Sequence, residues 1–191
     1  IKFENSESAA SFWYDSISSS GEKNHDKGYK FGERLIDART ININVRPEIA
    51  FNPIKHIGGE KGWYAWNILW QLRGLIDLLL GGVGMRRGRS HKDKLIVGGT
   101  IDFWRIEKTI PNNFLSLSAE MKLPGRAWLE FEVIGTENSS KIKQTAIFEP
   151  IGLFGKIYWY SLYPLHQLIF AGMLKAIAKK AIALNKKSGT S

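Results

Sequence analysis

The chain contains no cysteine among its 191 residues, which excludes disulfides and thiolate metal sites and suits a cytoplasmic protein. Histidine is scarce as well. His25, His56, His91 and His166 are scattered, with no carboxylate at metal-ligand spacing, so no zinc or iron site is expected. No Gly-x-Gly-x-x-Gly follows a strand pattern. Gly81-Gly82-Val83-Gly84 follows a helical one and cannot serve as a dinucleotide fingerprint, so no cofactor is expected in this domain. An uninterrupted apolar run of about 20 residues, the length a spanning helix needs, is missing too. Gln71, Arg73 and Asp77 break the stretch from Trp63 to Leu80, and Lys156, Pro164, His166 and Gln167 break the one from Leu153 to Ala183. Ile1 to Gly28 has no apolar core of the kind a signal peptide requires. The chain opens on Ile1 rather than Met, which reads as a piece of a longer protein or a processed product.

Acidic residues are the minority, 18 against 27 Lys and Arg, for a net charge of +9. Two clusters supply much of the excess: Arg86, Arg87, Arg89, Lys92 and Lys94 in one loop, and Lys175, Lys179, Lys180, Lys186 and Lys187 near the end. Such clusters attract phosphates, nucleic acid or anionic lipid. The plainer reading is a solvated loop, with a cation set that suits the end of a helix dipole.

What is present is enough apolar residue for one sizeable core: 43% of the chain, with seven Trp. Residues 1–33, rich in Ser, Glu, Lys and Asn, read as a linker or arm, and 188–191 as a flexible tail, leaving 34–187 as the folded domain. Ile41, Ile43 and Val45 alternate with polar residues as a half-buried strand does. Pro47 stops it and opens a short helix, Glu48 to Ile57, ended by Gly58-Gly59. An apolar helix over Trp63–Leu80 and the basic loop follow. Strands are predicted over 95–108 (with Gly98-Gly99 as a split or bulge), 114–121, 127–134 and 141–149.

The hairpin from Leu115 to Val133 is the clearest element. Period-two alternation places Leu115, Leu117, Ala119 and Met121 on one face and Leu129, Phe131 and Val133 on its partner, with Pro124-Gly125 at the turn. From Leu153 to about Leu184 the spacing is helical, with a break expected at Pro164. Strand, two helices, meander and long closing helix together predict an α+β helix-grip fold, a curved antiparallel sheet wrapped around the C-terminal helix.

Gly58-Gly59 with Gly62-Trp63-Tyr64, Leu72-Arg73-Gly74-Leu75-Ile76-Asp77, Arg86-Arg87-Gly88-Arg89, Asp102-Phe103-Trp104-Arg105, Gln144-Thr145-Ala146 and Tyr158-Trp159-Tyr160 through Pro164, His166 and Phe170 form a distinctive order of blocks. By these blocks the chain, over about residues 35–184, resembles domain-of-unknown-function family 2867. The resemblance implies the START-like helix-grip superfamily, whose members hold apolar ligands between sheet and helix. It also implies a place as the C-terminal part of proteins that begin with an atypical, NAD(P)-binding short-chain reductase or sugar-epimerase-like domain.

Candidate site residues come with two readings each. His166 shares a helical face with Leu162, Ile169 and Met173, so it points toward the sheet, as a proton donor or polar anchor in an apolar cavity or as a hydrogen-bonded core histidine. Glu120 and Glu130 can pair across strands with Arg105, or line the cavity together with it and orient a polar head or do acid–base work. Trp104 and Trp128 fall on the nominally outer faces. Trp63, Trp66 and Trp70 at i, i+3, i+7 read as a core stripe or as a portal for an apolar ligand, with Tyr158 in a second aromatic group. Arg86, Arg87 and Arg89 are the candidates for contact with an anion or an anionic membrane surface. Nucleic acid is not expected as a partner, because the aromatics sit on apolar faces and the basic residues in a separate loop.

The expected function is binding of a hydrophobic small molecule in an internal apolar cavity, beside a fused reductase. A cyclase- or isomerase-like activity of His166, Glu120, Glu130 and Arg105 is the enzymatic alternative. An interaction module peripheral to the membrane is the third.

Overall fold

The computed structural model describes residues 34–79, 81, 82, 84 and 88–188. The expected arm 1–33, the end of the tail, and Arg86 and Arg87 lie outside the described residues. Ten elements follow in order: strand β1 (Leu35–Ile43), helix α1 (Pro47–Lys55), a 3₁₀ turn (Gly59–Lys61), helix α2 (Asn67–Leu79), strands β2 (Thr100–Ile101), β3 (Trp104–Ile110), β4 (Phe114–Ala119), β5 (Gly125–Gly135) and β6 (Ser140–Pro150), and helix α3 (Gly152–Ser188). The strands form one antiparallel sheet in the order β1-β6-β5-β4-β3-β2. This is the α+β helix-grip fold. Among the described residues no helix is long and apolar enough to cross a membrane.

Register follows from the alternation in the sequence. Leu117 sits opposite Leu129, and Leu129 opposite Ala146, so one inner row runs across three strands, while Leu115, Phe131 and Gln144 form the next. Slipping by one residue would turn this whole apolar set to the outer face. Leu115, Leu117, Leu129, Phe131 and Ile142 are fully buried against Met173, Ile177 and Ala181 of α3 and Ala50, Phe51 and Ile54 of α1. Apolar burial of about 25 cal/mol per Å² makes that two-sided contact the main holding force of the domain.

Three local expectations are corrected. The helix expected from Trp63 begins only at Asn67, because Tyr64 and Trp66 adopt φ of 64° and 55°. Left-handed backbone costs a bulky residue about 1–2 kcal/mol. Here it is held by Asn67 Oδ1, which accepts from the Trp63 backbone N–H at 2.9 Å, and by the Tyr64 hydroxyl, which donates to the Pro53 carbonyl at 2.8 Å. The segment over 95–108, expected to split or bulge at Gly98-Gly99, is split at Asp102-Phe103 instead, and its bulge lies at Glu107. Finally, α3 runs unbroken through Pro164. The ring frees the carbonyl of Tyr160, which is 64% exposed, and water can satisfy an acceptor that faces it.

Candidate functional site

Between the inner sheet face and the first half of α3 lies a connected series of rings. Phe148 of β6 stacks on Trp159 of α3 (centroids 5.5 Å apart, planes 8° apart), Trp159 meets His166 edge-on at 5.4 Å, and His166 meets Phe170 at 5.4 Å. Phe170 then approaches Trp70 of α2 at 6.4 Å, Trp70 stacks on Trp63 at 4.8 Å, and Trp63 tilts against Trp104 of β3 at 6.0 Å. Tyr158 tilts against Phe148 at 5.9 Å.

Buried polar atoms belong to these rings and to the inner row of β6. Trp70 Nε1, Trp104 Nε1, Gln144 Oε1 and His166 Nδ1 are all inaccessible to water and have no hydrogen-bond partner among the described residues. A buried donor or acceptor left unpaired costs about 1–3 kcal/mol, so native proteins rarely keep several without use. Beside them on β1, the inner-face residues Asp37 and Arg39 neutralise each other through two contacts of 2.8 and 3.1 Å. The Arg39 guanidinium also donates to the Gln167 carbonyl of α3 at 2.9 Å, tying strand to helix. Burial drives the His166 imidazole below its ordinary range, only partly opposed by the Asp37 carboxylate, so His166 is neutral. The interior therefore presents two indole donors, an amide acceptor and a neutral imidazole.

Sequence reasoning placed His166, Trp63 and Tyr158 at these rings, but missed Asp37, Arg39 and Gln144. A signal for them existed: all three fall in the inward phase of their strands, with Ile41, Ile142 and Ala146. Trp104, expected on an outer face, is buried and turned inward, because it shares the phase of Ile106 opposite Leu117. Trp66 does not join the stripe. Its left-handed backbone carries the indole out over Gly172 of α3, leaving it 45% exposed. Gly172 is required there, since a Cβ would lie 2.8 Å from Trp66 Nε1.

Arg105, Glu120, Glu130 and Trp128 do not line the interior. Arg105 binds Glu120 at 2.6 Å and the Gly98 carbonyl at 2.7 Å, on the side opposite the inner rows. Glu130 lies in an outer row opposite Ser116, whose hydroxyl donates to it at 3.2 Å, and burial pushes its carboxyl up. The Trp128 indole donates to Glu107 at 3.1 Å on that same outer face. The acid–base cluster expected from Glu120, Glu130 and Arg105 with His166 is thus divided by the sheet itself.

Arg89 is also corrected, from an anion contact to a structural clamp. Its guanidinium donates to the carbonyls of Ile57 at 2.7 Å and Lys55 at 3.1 Å, where the end of α1 leaves acceptors unpaired. Nearby, buried Asp102 accepts from Trp63 Nε1 at 2.9 Å and from the Gly59 N–H at 3.1 Å, fixing the indole in the wall. Asp77, fully buried, does the same for the β4–β5 connection by accepting from the Lys122 N–H at 2.6 Å.

The internal apolar cavity expected from the sequence is not an open chamber. Two open clefts lie elsewhere; the larger of them, about 800 Å³, is lined by Arg46, Pro47, Glu48 and the β5–β6 turn at Gly135–Asn138. The rings of Trp63, Trp70 and Trp104, joined by Phe103, fill the interior space instead.

A family model described as a protein of unknown function, DUF2867, matches residues 32–173. The chain belongs to the DUF2867 family. That span takes in every residue of the ring series and the polar atoms that face it. No curated protein matches the sequence. Among solved structures, a norcoclaurine synthase point mutant of Thalictrum flavum, recorded in complex with a transition-state analogue, is 14% identical at a TM-score of 0.52. The match covers 83% of this chain and 99% of that one. The Aha1 dimer of Colwellia psychrerythraea is 14% identical at a TM-score of 0.46, over 75% of this chain and 96% of that one. The first likeness places this DUF2867 chain in the helix-grip fold.

Proposed function

We propose that the domain binds an uncharged hydrophobic small molecule between the inner sheet face and α3, against His166, Phe170, Trp70 and Gln144. The four unpartnered polar atoms in an aromatic interior carry this reading. They call for a ligand with an apolar or aromatic body, an acceptor such as a carbonyl for the indole N–H groups, and a hydroxyl or N–H donor for Gln144 Oε1. Asp37 and Arg39 are satisfied by one another and supply no free counter-ion to a charged ligand. Entry requires the rings around Trp70 to part. A norcoclaurine synthase of the same fold is recorded in complex with a transition-state analogue, which supports small-molecule binding by this fold.

On the family resemblance, the domain serves in the cytoplasm as an accessory module of an NAD(P)-binding reductase- or epimerase-like protein, with the cofactor held outside this domain. The test is titration with the neutral fluorescent probe N-phenyl-1-naphthylamine, joined to native mass spectrometry of the purified chain. Saturable binding that His166→Leu and Gln144→Met both weaken supports the proposal. Absence of saturable probe binding, with no co-purifying molecule, overturns it.

A further inference from the structure

The helices carry an apolar surface that the core leaves unused. On α2, Ile68, Leu72 and Leu79 are 72%, 51% and 79% exposed, on the side opposite buried Trp70, Gly74 and Asp77. On the first turns of α3, Leu153, Phe154 and Ile157 are 73%, 71% and 56% exposed. Exposed leucines are ordinary singly, but contiguous stripes of this kind mark an interaction surface.

The two stripes belong to neighbouring segments that run antiparallel. Trp70 meets Phe170 and Trp66 covers Gly172 at one end. At the other end Asp77 and Arg73 hold the backbone of Lys122, while the Pro124 carbonyl accepts from the Ile151 N–H at 2.9 Å, one residue before α3. Tyr160, 64% exposed, and Tyr163, 41% exposed, extend the α3 stripe with rings that are apolar in the body and polar at the tip.

Charge selects the occupant. The only carboxylate on α2, Asp77, is fully buried, and the 37 residues of α3 contain no acidic residue at all. Cations border the stripes: exposed Lys122 between the helices, and Lys156 and Lys175 on α3. Two copies of this face would bring like charges together. An anionic bilayer complements both the cations and the apolar stripes, and tyrosines suit its interfacial depth.

We propose that α2 and the first half of α3 dock in the plane of an anionic membrane surface, with the apolar stripes immersed and Lys122 and Lys156 against the headgroups. The proposal is independent of what the interior binds.

The full chain is sedimented with vesicles of phosphatidylcholine alone and with vesicles one third phosphatidylglycerol, and its mass in solution is measured by analytical ultracentrifugation. Binding about tenfold tighter to the anionic vesicles, weakening steeply between about 50 mM and about 500 mM salt, is expected. The double variant Leu72→Asp/Phe154→Asp, at exposed positions that leave the melting temperature unchanged, lowers that binding at least about tenfold. Lys122→Glu/Lys156→Glu lowers binding to anionic vesicles without touching the apolar stripe. Three results would overturn the proposal: no binding to either vesicle, equal and salt-insensitive binding to both, or a dimer that the Leu72→Asp/Phe154→Asp pair dissociates, which would assign the face to a second copy.

Discussion

Replacing Gln144 by methionine tests the reading of the interior most directly. Gln144 is 2% exposed on β6, between Phe131 and Arg39 in the inner row, and its Oε1 has no hydrogen-bond partner among the described residues. A core selected for stability alone would not retain such an atom, since leaving a buried acceptor unpaired costs about 1–3 kcal/mol. Methionine keeps the length and unbranched shape of glutamine and removes the carbonyl. Gln144→Met therefore stabilises the empty domain by about 1–3 kcal/mol. For a chain of this size that raises the melting temperature by roughly 3 °C per kcal/mol. The same change weakens a ligand that donates to Oε1 by a comparable free energy, about tenfold or more in Kd. Differential scanning calorimetry of the empty protein and probe titration read the two effects separately. A melting temperature that falls by several degrees would refute the reasoning, because it would mean that the Gln144 amide supports the fold rather than awaits a partner. Unchanged affinity would remove Gln144 from the site while leaving the stability argument intact.

Asp77→Ala removes two hydrogen bonds to a fully buried carboxylate, from Lys122 N–H at 2.6 Å and Gly84 N–H at 2.8 Å. At about 1.5–3 kcal/mol each, the loss is about 3–6 kcal/mol by chemical denaturation, and a loss under about 1 kcal/mol would contradict the role assigned to it. His166 is held neutral by burial, so the unfolded chain binds a proton there more readily than the folded one. Its contribution to stability is present above pH of about 6.5 and is lost as pH falls. His166→Leu accordingly narrows the gap in melting temperature between neutral and mildly acidic buffer, and an unaltered gap would count against that assignment. Glu120→Gln breaks the ion pair with Arg105 on the outer side of the sheet and leaves probe affinity unchanged. Any change in Kd would return Glu120 to the interior.

Alternation and helical spacing made most of the elements legible. Leu115, Leu117, Leu129, Phe131 and Val133 announced the inner rows of β4 and β5, and Met173 and Ile177 the face of α3 that covers them, because these periods reflect backbone geometry that any context preserves. The start of α2 was not legible. Tyr64 and Trp66 have unremarkable helix propensity, and tertiary ties hold them at positive φ: Asn67 to the Trp63 backbone, the Tyr64 hydroxyl to Pro53, and the Trp63 indole to Asp102. Pro164 misled for a related reason, since a local rule cannot tell whether the freed carbonyl faces water or protein.

The candidate site divides the same way. His166 was readable from its place among Leu162, Ile169 and Met173. Arg105, Glu120, Glu130 and Trp128 were misplaced because period two sorts residues into two faces without saying which face the helix covers. That choice, and with it the meeting of Asp37 and Arg39 of β1 with Gln144 of β6 and with α3, is made by residues more than a hundred positions apart. The sequence by itself determined the elements, their apolar sides and the surplus of positive charge, all of which are local or summed properties. Which polar groups end up buried together, and which apolar stripes are left facing out, was decided only by how α2 and α3 close over the sheet.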